Sequence, residues 1–214
     1  MARCACIDIG SNTTRLLVAE AGASRLHEVV SERAFTRLSE CVNGELGPEL
    51  IAEVASIVAR QARQARELDA VSLRIVATAA VRQATDRHAL AAAIDAGCGT
   101  PLEILDAEEE ARLAFRGAIG ALAAPPDGPL GVVDVGGGST ELVVGTADGG
   151  VTWSVSLPFG SATLTRTELP SDPPTAYAAT GRGVRGRRQR HVAAAADGRR
   201  AGPRRAHPRA AGAG

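Results

Sequence analysis

Two short stretches carry the residue types best suited to chemistry, DIGSNTT at 8–14 and DVGGGST at 134–140. Glycines let backbone N–H groups converge on an anion with no Cβ in the way, and Ser or Thr hydroxyls add further donors. Gly10, Ser11, Asn12 and Thr13 provide these groups in the first stretch, and Gly136, Gly137, Gly138, Ser139 and Thr140 in the second. The aspartate heading each loop does not suit a bare phosphate, because a carboxylate repels it. Asp8 and Asp134 make sense with a divalent cation between them and the anion. Mg²⁺ in particular favours a few carboxylates, waters and phosphate oxygens.

Laid over one another, residues 8–18 and 134–144 agree at five positions and differ conservatively at three more. Either loop alone reads equally well as a tight hairpin turn, with Gly for positive φ and Asp for local hydrogen bonds. The matched pair points further, to two similar lobes related by an approximate twofold axis, each offering one loop to a shared cleft.

The elements that must position these loops follow from periodicity. Residues 3–9, 14–19 and 25–35 read as three consecutive strands. A helix is expected over 48–68, opened by Pro48 at its first position, with Ile51, Val54, Val58, Ala62 and Ala65 recurring at three- and four-residue steps. Residues 72–77 read as a buried strand, 84–96 as a helix, 101–105 as a strand and 107–122 as a helix. Asp106 and Glu109 form a capping-box spacing at that last start. The order describes one mixed sheet with helices packed on it, an α/β lobe. PPDGP at 125–129 is a natural boundary, after which strands restart at 130–135, 140–146 and 151–157. The expected division is a complete first lobe at 1–125 and the opening of a second at 126–180.

No apolar run reaches the roughly 20 residues that cross a bilayer, and the N-terminus lacks the layout of an export signal, so a cytoplasmic setting without membrane attachment is expected. The four cysteines are scattered; Cys4 and Cys6 share one side of a strand and are expected to be buried, reduced thiols. All 24 basic residues are Arg. Zero net charge hides an asymmetry: residues 1–180 hold 14 Arg against 23 acidic residues, whereas 181–214 hold 10 Arg against Asp197 alone.

Five motifs in order, IDIGSNTTRLLV, ATAAVRQATD (77–86), LDAEEEARLAFRGA (105–118), VVDVGGGSTELVVG (132–145) and SVSLPFGSATLTRTEL (154–169), resemble those of the Ppx/GppA family of exopolyphosphatases and guanosine pentaphosphate phosphohydrolases. The resemblance runs from about residue 3 to residue 180. It implies the actin, sugar-kinase and Hsp70-like architecture, two ribonuclease-H-like lobes around a phosphate cleft. It also implies Mg²⁺-dependent release of terminal phosphate from inorganic polyphosphate or from guanosine pentaphosphate. Carried over by position, Glu110 corresponds to the catalytic glutamate that positions and deprotonates water, and Arg82 to a phosphate-contacting arginine. Asp134 and Glu141 correspond to acidic residues linked with metal and water binding, and Asp8 to the first-loop aspartate. Spacing alone does not select Glu110, since Glu108, Glu109 and Glu110 all suit a helix start.

At 37–41 the sequence departs from the family's Arg-Leu-Gly-x-Gly pattern, with Ser39 and Cys41 in the glycine positions. Residues 181–214 hold almost no large apolar side chain, a composition unable to order itself, and read as an out-of-frame continuation. The alternative is a basic arm attracting polyanions. No aromatic residue is interleaved for base stacking, so no dedicated nucleic-acid reader is expected. With a second lobe only begun, the chain is expected to depend on partners or to be poorly soluble; a homodimer is one such arrangement.

Overall fold

The computed structural model describes residues 2–22, 26–41 and 44–168. Strands β1 (Arg3–Ile9), β2 (Thr13–Ala21) and β3 (Leu26–Phe35) form an antiparallel meander. Helix α1 (Pro48–Glu67) then returns the chain so that β4 (Ala70–Ala77) pairs with β1 in parallel, and β5 (Leu102–Ile104) pairs in parallel with β4. The resulting order, β3-β2-β1-β4-β5, is that of a ribonuclease-H-like lobe.

The core lies on one face of this sheet. Ala5, Ile7 and Ile9 of β1 and Leu16 and Val18 of β2 alternate onto it, and α1 covers them with Val54, Val58, Ala62 and Ala65. Leu90 and Ile94 of α3 (Arg87–Cys98) complete the layer. Period two on the strands meets period 3.6 on the helices, and each fully buried aliphatic side chain adds roughly 1.5–3 kcal/mol.

The helix expected over 84–96 is α3, and a further short helix that was not expected stands before it. Five-residue α2 (Ala79–Gln83) precedes α3, and Ala84 between them is extended. Too short to show a periodic stripe, α2 reads as loop in the sequence. Asp86 at the α3 start does not cap its own helix; its carboxylate accepts from the N–H groups of Leu46 and Gly47 and ties down the entry to α1.

The cysteine expectation is corrected. Cys4 is exposed and Cys6 half-buried, because Ala5, Ile7 and Ile9 hold the core-facing side of β1 and the cysteines share the opposite face with Asp8. Cys4, Cys6 and Cys98 are free thiols.

Helix α4 (Ala107–Gly120) packs on the second sheet, not the first. That sheet is an antiparallel meander of β6 (Leu130–Val135), β7 (Thr140–Thr146) and β8 (Gly150–Leu157), and α4 lays Ala111, Phe115 and Ile119 against Leu130, Val132, Val143 and Val151. A Cβ at Gly145 would lie 2.8 Å from the Phe115 ring and 2.3 Å from the Gly150 carbonyl oxygen, so this seat requires glycine. Asp106 caps α4 by accepting from the Glu109 N–H at 2.8 Å. Only half of the capping box forms, since the Glu109 carboxylate pairs with Arg112 instead. The short α5 (Ser161–Glu168) closes the described chain. Among the described residues no helix is long and apolar enough to cross a membrane. The expected basic tail, residues 181–214, and the end of the expected second-lobe opening, 169–180, lie outside the described residues.

Candidate active site

The two loops are one turn made twice. The Gly10 N–H donates to the Thr13 carbonyl at 2.9 Å, and the Gly136 N–H donates to the Ser139 carbonyl at 3.0 Å. A Cβ on either glycine would stand 3.2 Å from that same oxygen. The register repeats as well: Asp8 faces Arg15 across the first hairpin, and Asp134 faces Glu141 across the second.

The loops meet. A Cβ on Gly138 would lie 2.6 Å from Ser11 Oγ, and one on Gly137 3.1 Å from Ser11 Cβ, an approach that needs glycine. Each loop is braced by the segment after its third strand. Thr36 and Arg37 donate their N–H groups to the Asn12 carbonyl, and Ser39 donates to that of Ser11. Ser161 donates to the Gly136 carbonyl, and Ala162 and Thr163 to that of Gly137. Of the two residues that stand where the family pattern has glycines, Ser39 lies inside a 3-10 turn (Leu38–Glu40) and Cys41 ends it with φ −57°, which any residue adopts.

Behind the loops opens a cleft of about 730 Å³ between the first sheet, α4 and the second sheet. All the expected site residues line it except Arg82 and Thr140. The Thr140 hydroxyl donates to the Phe159 carbonyl at 2.7 Å and so fastens the loop. Arg82 Nη1 bridges the Leu105 carbonyl at 2.6 Å and Glu110 Oε2 at 2.9 Å, which fixes the glutamate at the start of α4. A cavity of about 810 Å³ between α4 and the β7–β8 turn holds neither the loops nor the cleft carboxylates.

Four carboxylates share the cleft. Burial pushes Glu110 above the usual carboxylate range; its hydrogen bond from Arg82 opposes this, while the charges of Glu141 and Asp8 add to it. Asp8 is reachable from the cleft, yet protein walls crowd water away and raise it too, with Arg15 opposing and Asp134 reinforcing. Glu141 is 1% exposed, and one of its oxygens accepts from the Ser156 hydroxyl at 2.8 Å.

These donors fit a divalent cation. Asp134 and Glu141 stand directly opposite on adjacent strands, an arrangement of like charges that is unfavourable without a cation. Among the described residues no three His, Cys, Asp or Glu side chains group closely enough to hold a metal alone. Mg²⁺ does not need such a cage, because it takes one or two carboxylates and completes its shell with water and phosphate oxygens.

Three contributors escape a reading by residue type: Arg15, which faces Asp8; Ser156, which orients Glu141; and Gly160, whose Cβ would fall 2.4 Å from the Gly136 carbonyl oxygen. The overlay of the two loops places Arg15 opposite Glu141. Ser156 and Gly160 lie within the motif at 154–169.

Fold and site together define an actin-like α/β protein with paired glycine-turn loops at the edge of a carboxylate-lined cleft. A sequence profile of the Ppx/GppA phosphatase family matches residues 17–191, and the chain belongs to that family. The match continues past residue 180, where the resemblance was expected to end. Over 189 aligned residues the chain is 38% identical to Exopolyphosphatase 2 of Mycobacterium tuberculosis, covering 82% of this chain and 57% of that protein. Its fold superposes on the crystal structure of the Aquifex aeolicus family member with TM-score 0.71 at 31% identity, over 84% of this chain and 58% of that one. An exopolyphosphatase from Cytophaga hutchinsonii gives TM-score 0.73 at 26% identity, over 81% and 56%. The chain thus spans a little over half the length of these relatives.

Proposed function

We propose that this chain carries the phosphate-gripping and water-orienting half of a hydrolase that releases terminal phosphate from inorganic polyphosphate. The observation that carries the reading is the contact of two identical turns, Gly138 against Ser11, at the edge of a cleft holding Asp8, Glu110, Asp134 and Glu141. Phosphoryl transfer is mostly positioning and charge neutralisation, so such a site needs donors for the phosphoryl oxygens, a cation and a group that orients water.

The N–H groups at Ser11, Asn12, Gly137 and Gly138 and the hydroxyls of Ser11, Thr13 and Ser139 hold the terminal phosphoryl group. Asp134 and Glu141, with Asp8 across the cleft, would hold Mg²⁺, which supplies charge neutralisation at the phosphoryl oxygens. Glu110 accepts a proton from the attacking water. Burial raises its proton affinity, which makes it a better base once ionised, and the hydrogen bond from Arg82 favours the ionised form. Arg82 is a positioning residue here, holding Glu110 from outside the cleft lining.

Hydrolysis of guanosine pentaphosphate is the second reading, since the loops grip a terminal phosphate whatever follows it. A third is a fragment that binds polyphosphate without turning it over. Phosphate release from polyphosphate and from guanosine pentaphosphate with Mg²⁺, together with calorimetric binding, separates the three. For an active chain, Glu110→Gln is expected to lower turnover by about 10²–10⁴-fold with binding retained. Unchanged turnover in that variant sinks the assignment of Glu110.

A further inference from the structure

The row of residues that crosses each hairpin beneath its loop has a different chemistry in the two sheets. In the first, Asp8 stands opposite Arg15, and Arg15 opposite Arg33. In the second, Asp134 stands opposite Glu141, and Glu141 opposite Ser156. The first row sets two guanidinium groups beside one aspartate, whereas the second sets two carboxylates beside one hydroxyl. The need for a cation is therefore concentrated on the second sheet. Strand pairing there does not require the serine hydroxyl, because β7 and β8 pair without a break from Thr140 and Leu157 to Val144 and Trp153. The hydroxyl instead donates to Glu141 Oε1 at 2.8 Å, a charge-assisted bond to a buried side chain that lines the cleft. Among the described residues the other oxygen of Glu141, Oε2, has no hydrogen-bond partner.

We propose that Ser156 is a positioning residue that selects the cation of the cleft, by occupying one oxygen of Glu141 so that the carboxylate offers a metal only the other. The assignment rests on reading Asp134 and Glu141 as the carboxylates that hold a divalent cation. Mg²⁺ suits a carboxylate presented through one oxygen, because it demands a near-octahedral shell and completes it with waters and phosphate oxygens. A carboxylate gripping with both oxygens spans too narrow an angle for that shell. Ca²⁺ is larger, takes more oxygens in a flexible arrangement and accepts the two-oxygen grip. The Ser156 hydroxyl thus withholds from Ca²⁺ a ligand atom that Mg²⁺ does not use. Partners of this kind, one bond removed from a metal, orient its ligands and tune its affinity.

The test titrates the whole 214-residue chain with Mn²⁺, whose unbound ion is counted by electron paramagnetic resonance, and displaces it with Mg²⁺ or with Ca²⁺. Ser156→Ala is expected to shift the ratio of Ca²⁺ to Mg²⁺ affinity about tenfold toward Ca²⁺, the low end of what such outer partners contribute. Ser156→Cys keeps the size of the side chain but donates only weakly, and is expected to shift the ratio the same way. Ser156→Thr retains the hydroxyl and should keep the ratio of the parent. An unchanged ratio in both Ser156→Ala and Ser156→Cys overturns the proposal while the metal site stands. Equal weakening of both cations also overturns it, since a merely structural role would do that. If the parent binds none of the three cations, or Glu141→Gln binds Mn²⁺ like the parent, the metal reading of Asp134 and Glu141 falls and the proposal falls with it.

Discussion

Asp8 and Asp134 hold the same place in two copies of one turn, yet Arg15 faces the first and Glu141 faces the second. The twofold pattern therefore sets the backbone while side chains make the halves different, one aspartate balanced by a cation and the other left with a like charge. Burial holds Asp8 above its unfolded-state pKa. Between those two pKa values the folded chain binds more protons than the unfolded chain, so stability falls as pH rises through that window and is regained below it. Asp8→Asn removes this titration. The variant is expected to melt a few degrees above the parent at neutral pH without metal, with the gap closing as pH falls through the carboxylate range. Thermal unfolding followed by circular dichroism at both pH values checks this, and a variant less stable than the parent at neutral pH contradicts it.

Helix α1 shows how an element can be correct in outline and costly in one detail. Its stripe covers the first sheet as its periodicity requires, but Gln61 falls within that stripe, fully buried, and neither side-chain amide atom has a hydrogen-bond partner among the described residues. A buried amide without partners costs about 1–3 kcal/mol. Gln61→Met keeps the length of the side chain and removes the polar atoms. It is expected to raise stability by about 1 kcal/mol or more, a shift in Tm of roughly 2–4 °C at this chain length. Urea unfolding reads the change, and a lower midpoint with unaltered m-value counts against it. Helix starts also differ in legibility. Asp106 caps α4 as its spacing suggests, because that bond is local. Asp86, at the N-cap position of α3, bonds Leu46 and Gly47 some forty residues earlier, which only the fold brings near.

At the scale of the whole molecule, the overlay that matches the loops also matches the strands flanking them. Ile7, Ile9 and Val18 are fully buried under α1 in the first lobe; their counterparts Val133, Val135 and Val144 are 65%, 60% and 36% exposed. The same pattern of residues thus has a cover in one lobe and an open apolar face beside the β6 edge in the other, a combination that favours association. Sedimentation velocity is expected to show concentration-dependent self-association of the chain, reduced by the pair Val133→Glu and Val135→Glu. A monodisperse monomer unaffected by the pair removes the idea. The contact of Ser11 with Gly137 and Gly138 also belongs to this scale, since it joins residues more than a hundred positions apart.

The sequence by itself determined the repeat, the strand and helix order, and most of the residues that line the cleft, because these depend on local periodicity and on backbone demands that glycine spacing records. Glu110 needed the family resemblance, as three adjacent glutamates satisfy a helix start equally. Tertiary structure alone decided which face of β1 is core, that α4 packs on the second sheet, that Arg82 clasps Glu110 instead of lining the cleft, and that Ser156 and Gly160 serve the second loop. Each of these is a contact between distant segments, set by which apolar faces bury one another and how closely two backbones approach, and no spacing within one segment encodes that.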